Sequence, residues 1–122
     1  MNAFKKKYIC VKQMFRRFVT PNGLLVLVGK HAKANDLLTF QRASPGDHWL
    51  HAKGVPGAHV VIVEDPHIDA TSADILFAAS LALGTKDRGA VDVTRVGNCF
   101  KPNTTLGSVA YTDSSRVKTV IV

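Results

Sequence analysis

Apolar residues recur along this chain in short blocks, and the period of each block points to the element it builds. Phe15-Arg16-Arg17-Phe18-Val19-Thr20 reads as a strand, Pro21-Asn22-Gly23 as a turn, and Leu24-Leu25-Val26-Leu27-Val28 as a buried strand. Residues 16–28 are therefore expected to form a hairpin. Gly29 breaks the run, and Lys30 to Phe40 predicts a short helix that buries Ala32, Leu37, Leu38 and Phe40. After the turn Ser44-Pro45-Gly46-Asp47, His48 to His51 reads as a strand, interrupted by Gly54-Val55-Pro56-Gly57. The β-branched block His59-Val60-Val61-Ile62-Val63 predicts a central strand.

Thr71 followed by Asp74 approximates a capping box, and Ile75 to Leu83 is the best helix in the chain, with Gly84 suited to end it. This helix is apolar nearly all round, so deep packing is expected. Val91 to Val96 alternates as a strand, Gly97 to Gly107 reads as a loop, and Ser108–Tyr111 with Arg116–Val122 as a last hairpin. The order β-β-α-β-β-α-β-β-β predicts an α+β domain over residues 15–122, with a mainly antiparallel sheet and two helices packed against it.

Composition agrees with a folded domain. The chain has 122 residues, 46% of them hydrophobic and 20% charged, which excludes a disordered tail or a collagen-like sequence. Its net charge of +7 makes an anionic partner plausible. Lys5, Lys6, Lys7, Lys12, Arg16 and Arg17 fall within residues 1–17 with no acid, while the remainder holds 10 basic against 9 acidic groups. Residues 1–14 thus read as a basic arm: either a solvated extension or a mobile segment that displaces counterions from a phosphate backbone. No apolar run reaches the length of about 20 residues that a bilayer crossing needs, and Lys12 interrupts any signal-like stretch. A cytoplasmic location with no membrane contact is expected. Cys10 and Cys99 stand far apart and read as two reduced thiols, a single bridge between them being the alternative.

Among the five histidines, His48 and His51 fall on opposite faces of a strand, whereas His51 and His59 flank the Pro-Gly turn and could approach each other. They read as hydrogen-bonded structural histidines, as polar contacts to a ligand, or, with Glu64 or Asp65, as a metal site. No metal or cofactor is expected on balance. The chain has no nucleophile elbow, P-loop or dinucleotide fingerprint, and no histidine stands beside Cys99 in sequence. Asp36 is placed to cap a helix turn or to orient Lys53. Trp49 reads as a core residue beside Val61, with stacking on a base as its other use. Lys53 shares a loop with His51 and His59, and Gly54 and Gly57 would let an anionic ligand approach the backbone, so residues 51–59 form the most site-like segment. Lys30, Arg95 and Lys101 supply further positive charge from loops and strand ends.

Three stretches resemble the NFACT-R domain family. Phe15-Arg16-Arg17-Phe18 with Asn22-Gly23, Gly29-Lys30 and Asn35-Asp36 resembles its opening. The run from Gly46-Asp47-His48-Trp49-Leu50-His51 through Lys53-Gly54-Val55-Pro56-Gly57-Ala58-His59 to Ile62 resembles its central signature. Val91-Asp92-Val93-Thr94, Lys101-Pro102 and Gly107 resemble its C-terminal part. That family is the RNA-binding-type module of the ribosome quality-control proteins NEMF and RqcH, once labelled fibronectin-binding. The resemblance covers roughly residues 15–122 and implies a stand-alone NFACT-R protein without the other domains of those proteins. It implies a non-catalytic contact with RNA, whether ribosomal RNA or tRNA, or with the large ribosomal subunit. By motif position the contact falls to Arg16, Arg17, Lys30, Asn35, Asp36, His51, Lys53 and His59, to which Gly57, Arg95 and Lys101 are added as close-approach and basic positions. The alternative is a histidine-dependent hydrolase or nuclease acting on RNA or another phosphate ester. A surface adhesin, the older label, is disfavoured.

Overall fold

The computed structural model describes residues 14–122. All of the expected basic arm except Met14 lies outside the described residues, as does Cys10. Strands β1 (Phe15–Val19) and β2 (Leu25–Gly29) form the expected hairpin, with Phe15 opposite Gly29 and Val19 opposite Leu25. Gly23 closes its turn at φ 90°, in the left-handed region that glycine enters without a Cβ penalty. β3 (His48–Ala52), β4 (Val60–Ile62), β5 (Ala90–Arg95) and β8 (Lys118–Ile121) complete a six-stranded sheet in the order β1-β2-β4-β3-β5-β8. Every pairing in it is antiparallel. The β-branched block of β4 is central and fully buried, as its composition predicts.

The sheet separates two cores. Val26, Val28, Leu50, Val60, Ile62, Val91 and Val93 face helix α2 (Ser72–Leu83). Leu27, Trp49 and Val61 face the other way, against Ala34 of α1 (Ala32–Leu37) and Leu38. Trp49 stands opposite Val61 in register and is buried beside it. Helix α2 opens on the capping box: the Thr71 and Asp74 side chains each take up the other's backbone N–H. Its packing is one-sided, contrary to the deep burial expected. Asp74, Ala78, Ala79, Ala82 and Leu83 are buried, while Leu76 remains exposed. A single sheet face lies beneath it, so one stripe of the helix suffices.

Two further expectations are corrected. The predicted helix over residues 30–40 starts later: His31 caps it by accepting the Ala34 N–H at Nδ1, 3.2 Å. Beyond Leu37 it widens into one turn over Leu38–Arg42, closed by Ala43 N–H on the Leu38 carbonyl. That widening buries the successive residues Leu38 and Thr39. The hairpin expected over residues 108–122 is absent. β7 (Ala110–Tyr111) pairs with β6 (Cys99–Phe100) as a separate ribbon, and β8 extends the main sheet beside β5. Asn98 decides this, because its side chain holds the Asp113 backbone through both N–H and C=O and so draws the 110–113 segment onto β6.

Candidate nucleic-acid interface

The signature loop between β3 and β4 is anchored by side chains that sequence reasoning placed at a ligand. Gly29 lacks a Cβ, and the Asn35 carboxamide fills that space. Asn35 Oδ1 accepts the His59 N–H at 3.1 Å, and Nδ2 donates to the Gly57 carbonyl at 3.4 Å. Asn35 is therefore a clamp between α1 and the loop. His59 is equally interior, at 1% exposure, and both ring nitrogens are engaged. The Gly107 carbonyl can only accept, so His59 Nε2 carries the proton at 3.0 Å. Nδ1 then accepts from the Thr39 hydroxyl at 2.7 Å, and Thr39 Oγ1 accepts from Trp49 Nε1 at 3.0 Å. Burial, with the neighbouring His51 imidazole adding to it, pushes His59 down to about 4 from its ordinary 6.5, in keeping with a neutral ring. The expectation that His59 touches a ligand thus gives way to an internal role.

His51 is the half-buried member of this cluster. It stands on the same face of β3 as Trp49 and stacks on it, with centroids 5.7 Å apart and planes within 15°. His59 meets it edge-on at 5.5 Å, the approach anticipated from sequence. Burial lowers the His51 pKa, so the ring is neutral at physiological pH. Asp92 lies directly opposite His51 in register. Its carboxylate accepts from Lys53 Nζ at 3.2 Å and from the Tyr111 hydroxyl at 2.9 Å. Tyr111 in turn sets its ring edge against Trp49 at 5.8 Å. Lys53 keeps more than half of its side chain in solvent, and the loop Gly54 to Gly57 beside it is exposed.

Asp36 neither caps the helix nor reaches Lys53. It pairs with Lys101 at 2.8 Å and accepts the Gly107 N–H at 2.7 Å. Lys101 also donates to the Thr105 carbonyl and lies 5.8 Å from the Phe40 ring centre. This pair fixes the 101–107 loop, whose Gly107 carbonyl orients His59. Arg16 and Arg17 separate. Register places Arg17 on the Leu27 and Trp49 face and Arg16 on the α2 face. Arg95 stands opposite His48, also on the α2 side, away from His51. Lys30 is exposed at the end of β2, where its N–H meets the Met14 carbonyl. The sequence reading therefore overlooked Thr39, Asp92, Tyr111 and the carbonyl of Gly107. Asp92 alone carried a usable signal, since alternation in β5 sets it on the face opposite Val91 and Val93.

Among the described residues no group of His, Cys, Asp and Glu is arranged to hold a metal ion. Burial pushes the Cys99 thiol up to about 12, which keeps it protonated and a poor nucleophile. Among the same residues no helix is long and apolar enough to cross a membrane.

Comparison with known proteins places this geometry in a family. Residues 14–88 match the family described as NFACT protein RNA binding domain. A Bacillus subtilis protein named Rqc2 homolog RqcH is 35% identical over 88 residues, covering 70% of this chain and 15% of its own length. The Streptococcus suis protein of the same name is 44% identical over 55 residues, covering 44% of this chain and 10% of its own. The chain thus spans a small part of the curated relatives it matches. Among solved structures, the C-terminal part of the fibronectin/fibrinogen-binding protein from Streptococcus suis aligns with a TM-score of 0.79 at 33% identity, over 90% of this chain and 45% of that one. The chain belongs to the NFACT RNA-binding domain family.

Proposed function

We propose that this chain is a non-catalytic RNA-binding protein that acts on ribosomal RNA of the large subunit or on tRNA, in translation quality control in the cytoplasm. The observation that carries the reading is the neutral His51 ring, stacked on Trp49 and bordered by Lys53 and the exposed Gly54–Gly57 loop. An unstacked base can lie against such a ring, as single-stranded RNA does on aromatic and histidine side chains. Asp92 holds one donor of the Lys53 ammonium and leaves the others for a phosphate. Gly57 presents backbone without a side chain, and Arg17 and Lys30 supply exposed charge. Asn35, Asp36, His59 and Lys101 act by holding this surface in shape.

The same geometry favours binding over cleavage. A histidine-dependent hydrolase needs a free base within reach of a second proton-transfer group. His59 has both nitrogens committed inside the fold, and the Asp92 carboxylate is held by Lys53 and Tyr111. The test is fluorescence anisotropy with labelled tRNA and labelled oligouridine, followed by gel analysis of the recovered RNA. Binding is expected with the RNA intact, with or without chelator. His51→Ala should weaken it about tenfold, the scale of one lost stacking contact worth roughly 1–3 kcal/mol. Cleavage that His51→Ala abolishes would overturn the reading in favour of the hydrolase.

A further inference from the structure

A second cleft lies across the sheet from His51. It encloses 790 Å³ and is lined among others by His48, Val93, Arg95, Arg116, Lys118 and Val120, with Ile75 of α2 on its wall. That size falls within the range of ligand clefts, about 300–1,000 Å³. Register explains how it forms. His48 stands opposite Arg95, and Val93 opposite Lys118, so all four project to the α2 side beyond the end of the close-packed core. No carboxylate lines the cleft. Lys53 and Lys101, on the His51 side, each have an aspartate partner, though Lys53 keeps more than half of its side chain in solvent, whereas Arg95, Arg116 and Lys118 have no ion pair among the described residues.

The rim is built rather than loose. Arg95 Nη1 donates to the Gly46 carbonyl at 2.8 Å. Thr94 Oγ1 donates to the Arg116 carbonyl at 3.0 Å and accepts from Asn98 Nδ2 at 3.1 Å, and both Thr94 and Asn98 are buried. Gly97 packs tightly on Pro45, 3.2 Å from the Pro45 oxygen at the Cβ position, and donates its N–H to that same oxygen. Asp113, next to the Arg116 turn, accepts the Ser115 N–H and hydroxyl at one carboxylate oxygen, and its charge also acts on Arg116 without a direct ion pair. Glu64, Asp65 and Asp69 line a smaller cleft that shares His48 and Arg95, so repulsion directs an anion toward the Arg116 and Lys118 end.

We infer that this cleft is a second RNA-binding surface, in which Arg95, Arg116 and Lys118 hold phosphates of a single-stranded segment while Val93, Val120 and Ile75 support a sugar or base face. The inference rests on the RNA-binding reading and extends it to residues mostly beyond the matched span 14–88. Planar guanidinium forks suit phosphate oxygens, and the apolar floor suits a ribose or base rather than a run of carboxylates alone.

The experiment uses the full chain, labelled oligouridine and a labelled polyglutamate peptide, with affinity followed against salt concentration. Arg116→Gln combined with Lys118→Gln should lower the slope of log affinity against log salt by about 1.4, at roughly 0.7 per lost contact to a single strand. In amide NMR spectra, oligouridine should shift Val93, Gly97 and Val120. Lys118→Glu alone, at an exposed position with no side-chain hydrogen bond, gives the same test should the double variant fold poorly. Unchanged binding and slope in these variants would overturn the cleft and leave the His51 surface standing. Failure of the wild-type chain to bind RNA would overturn both readings. Capture of polyglutamate in preference to oligouridine would overturn the RNA assignment of the cleft.

Discussion

Gly29 and Gly57 border the same loop and answer to different constraints. A Cβ on Gly29 would overlap the Asn35 carboxamide, so Gly29→Ala must displace the clamp that holds His59. A loss of about 1–3 kcal/mol is expected, typical of overpacking, and urea unfolding measures it. At Gly57 a Cβ would meet its nearest neighbour, the Ala82 carbonyl oxygen, at 3.7 Å, an ordinary contact. Gly57→Ala should therefore keep stability within about 0.5 kcal/mol while weakening RNA binding several-fold. Equal effects on stability and binding would contradict the proposed approach of RNA to this loop. His59 adds a pH signature. The unfolded chain takes up its proton near 6.5 and the folded chain only near 4, so the unfolded state binds more protons across that interval. Stability should fall as pH drops from 6.5 toward 4, by up to about 3 kcal/mol from this residue. His48 and His51 are shifted the same way by burial and steepen the decline. A urea series across this range that showed constant stability would contradict the neutral His59 network.

At the scale of elements, the first hairpin is tied to α2 through Asp74. Burial alone would raise that carboxyl, yet Asn22, Thr71 and Thr20 together hold it far below the usual carboxylate range. Asn22 donates both its backbone N–H and its side-chain amide to Asp74, at 3.1 and 3.0 Å. Asp74→Ala should cost about 2 kcal/mol, at the upper end for a helix cap, since it also orphans Asn22. A double-mutant cycle with Asn22→Ala should give a coupling of at least about 0.5 kcal/mol, and additivity would refute the tie. The capping box and the Asn-Gly turn were each legible in sequence because both are local motifs; their meeting depends on packing between residues 52 positions apart. The same distinction separates the other outcomes. β1 to β5 fall on the blocks whose composition marks them as strands, although β5 is buried at four successive positions rather than alternating. β7 went astray because chain proximity suggested β8 as its partner, whereas Asn98 supplies a distant one. Histidine as a helix cap and the wide turn at Leu38 carry no strong local signature.

Across the whole molecule, one antiparallel sheet divides the charged groups between two faces. The segment 51–59 was recognisable as the site from its glycines, imidazoles and lysine. Which of its residues face outward was not, because that depends on Thr39, Asp92 and Gly107, brought in from other elements. The cationic cleft escaped notice for a related reason: Arg95, Arg116 and Lys118 look scattered along the chain and converge only through the β5–β8 register. The central claim is that RNA lies against the His51 surface. Photocrosslinking of oligouridine carrying 4-thiouridine to the full chain, with the modified peptides identified by mass spectrometry, tests it most directly. The account predicts adducts at His51, Lys53 or Tyr111. Crosslinks confined to other surfaces would contradict it.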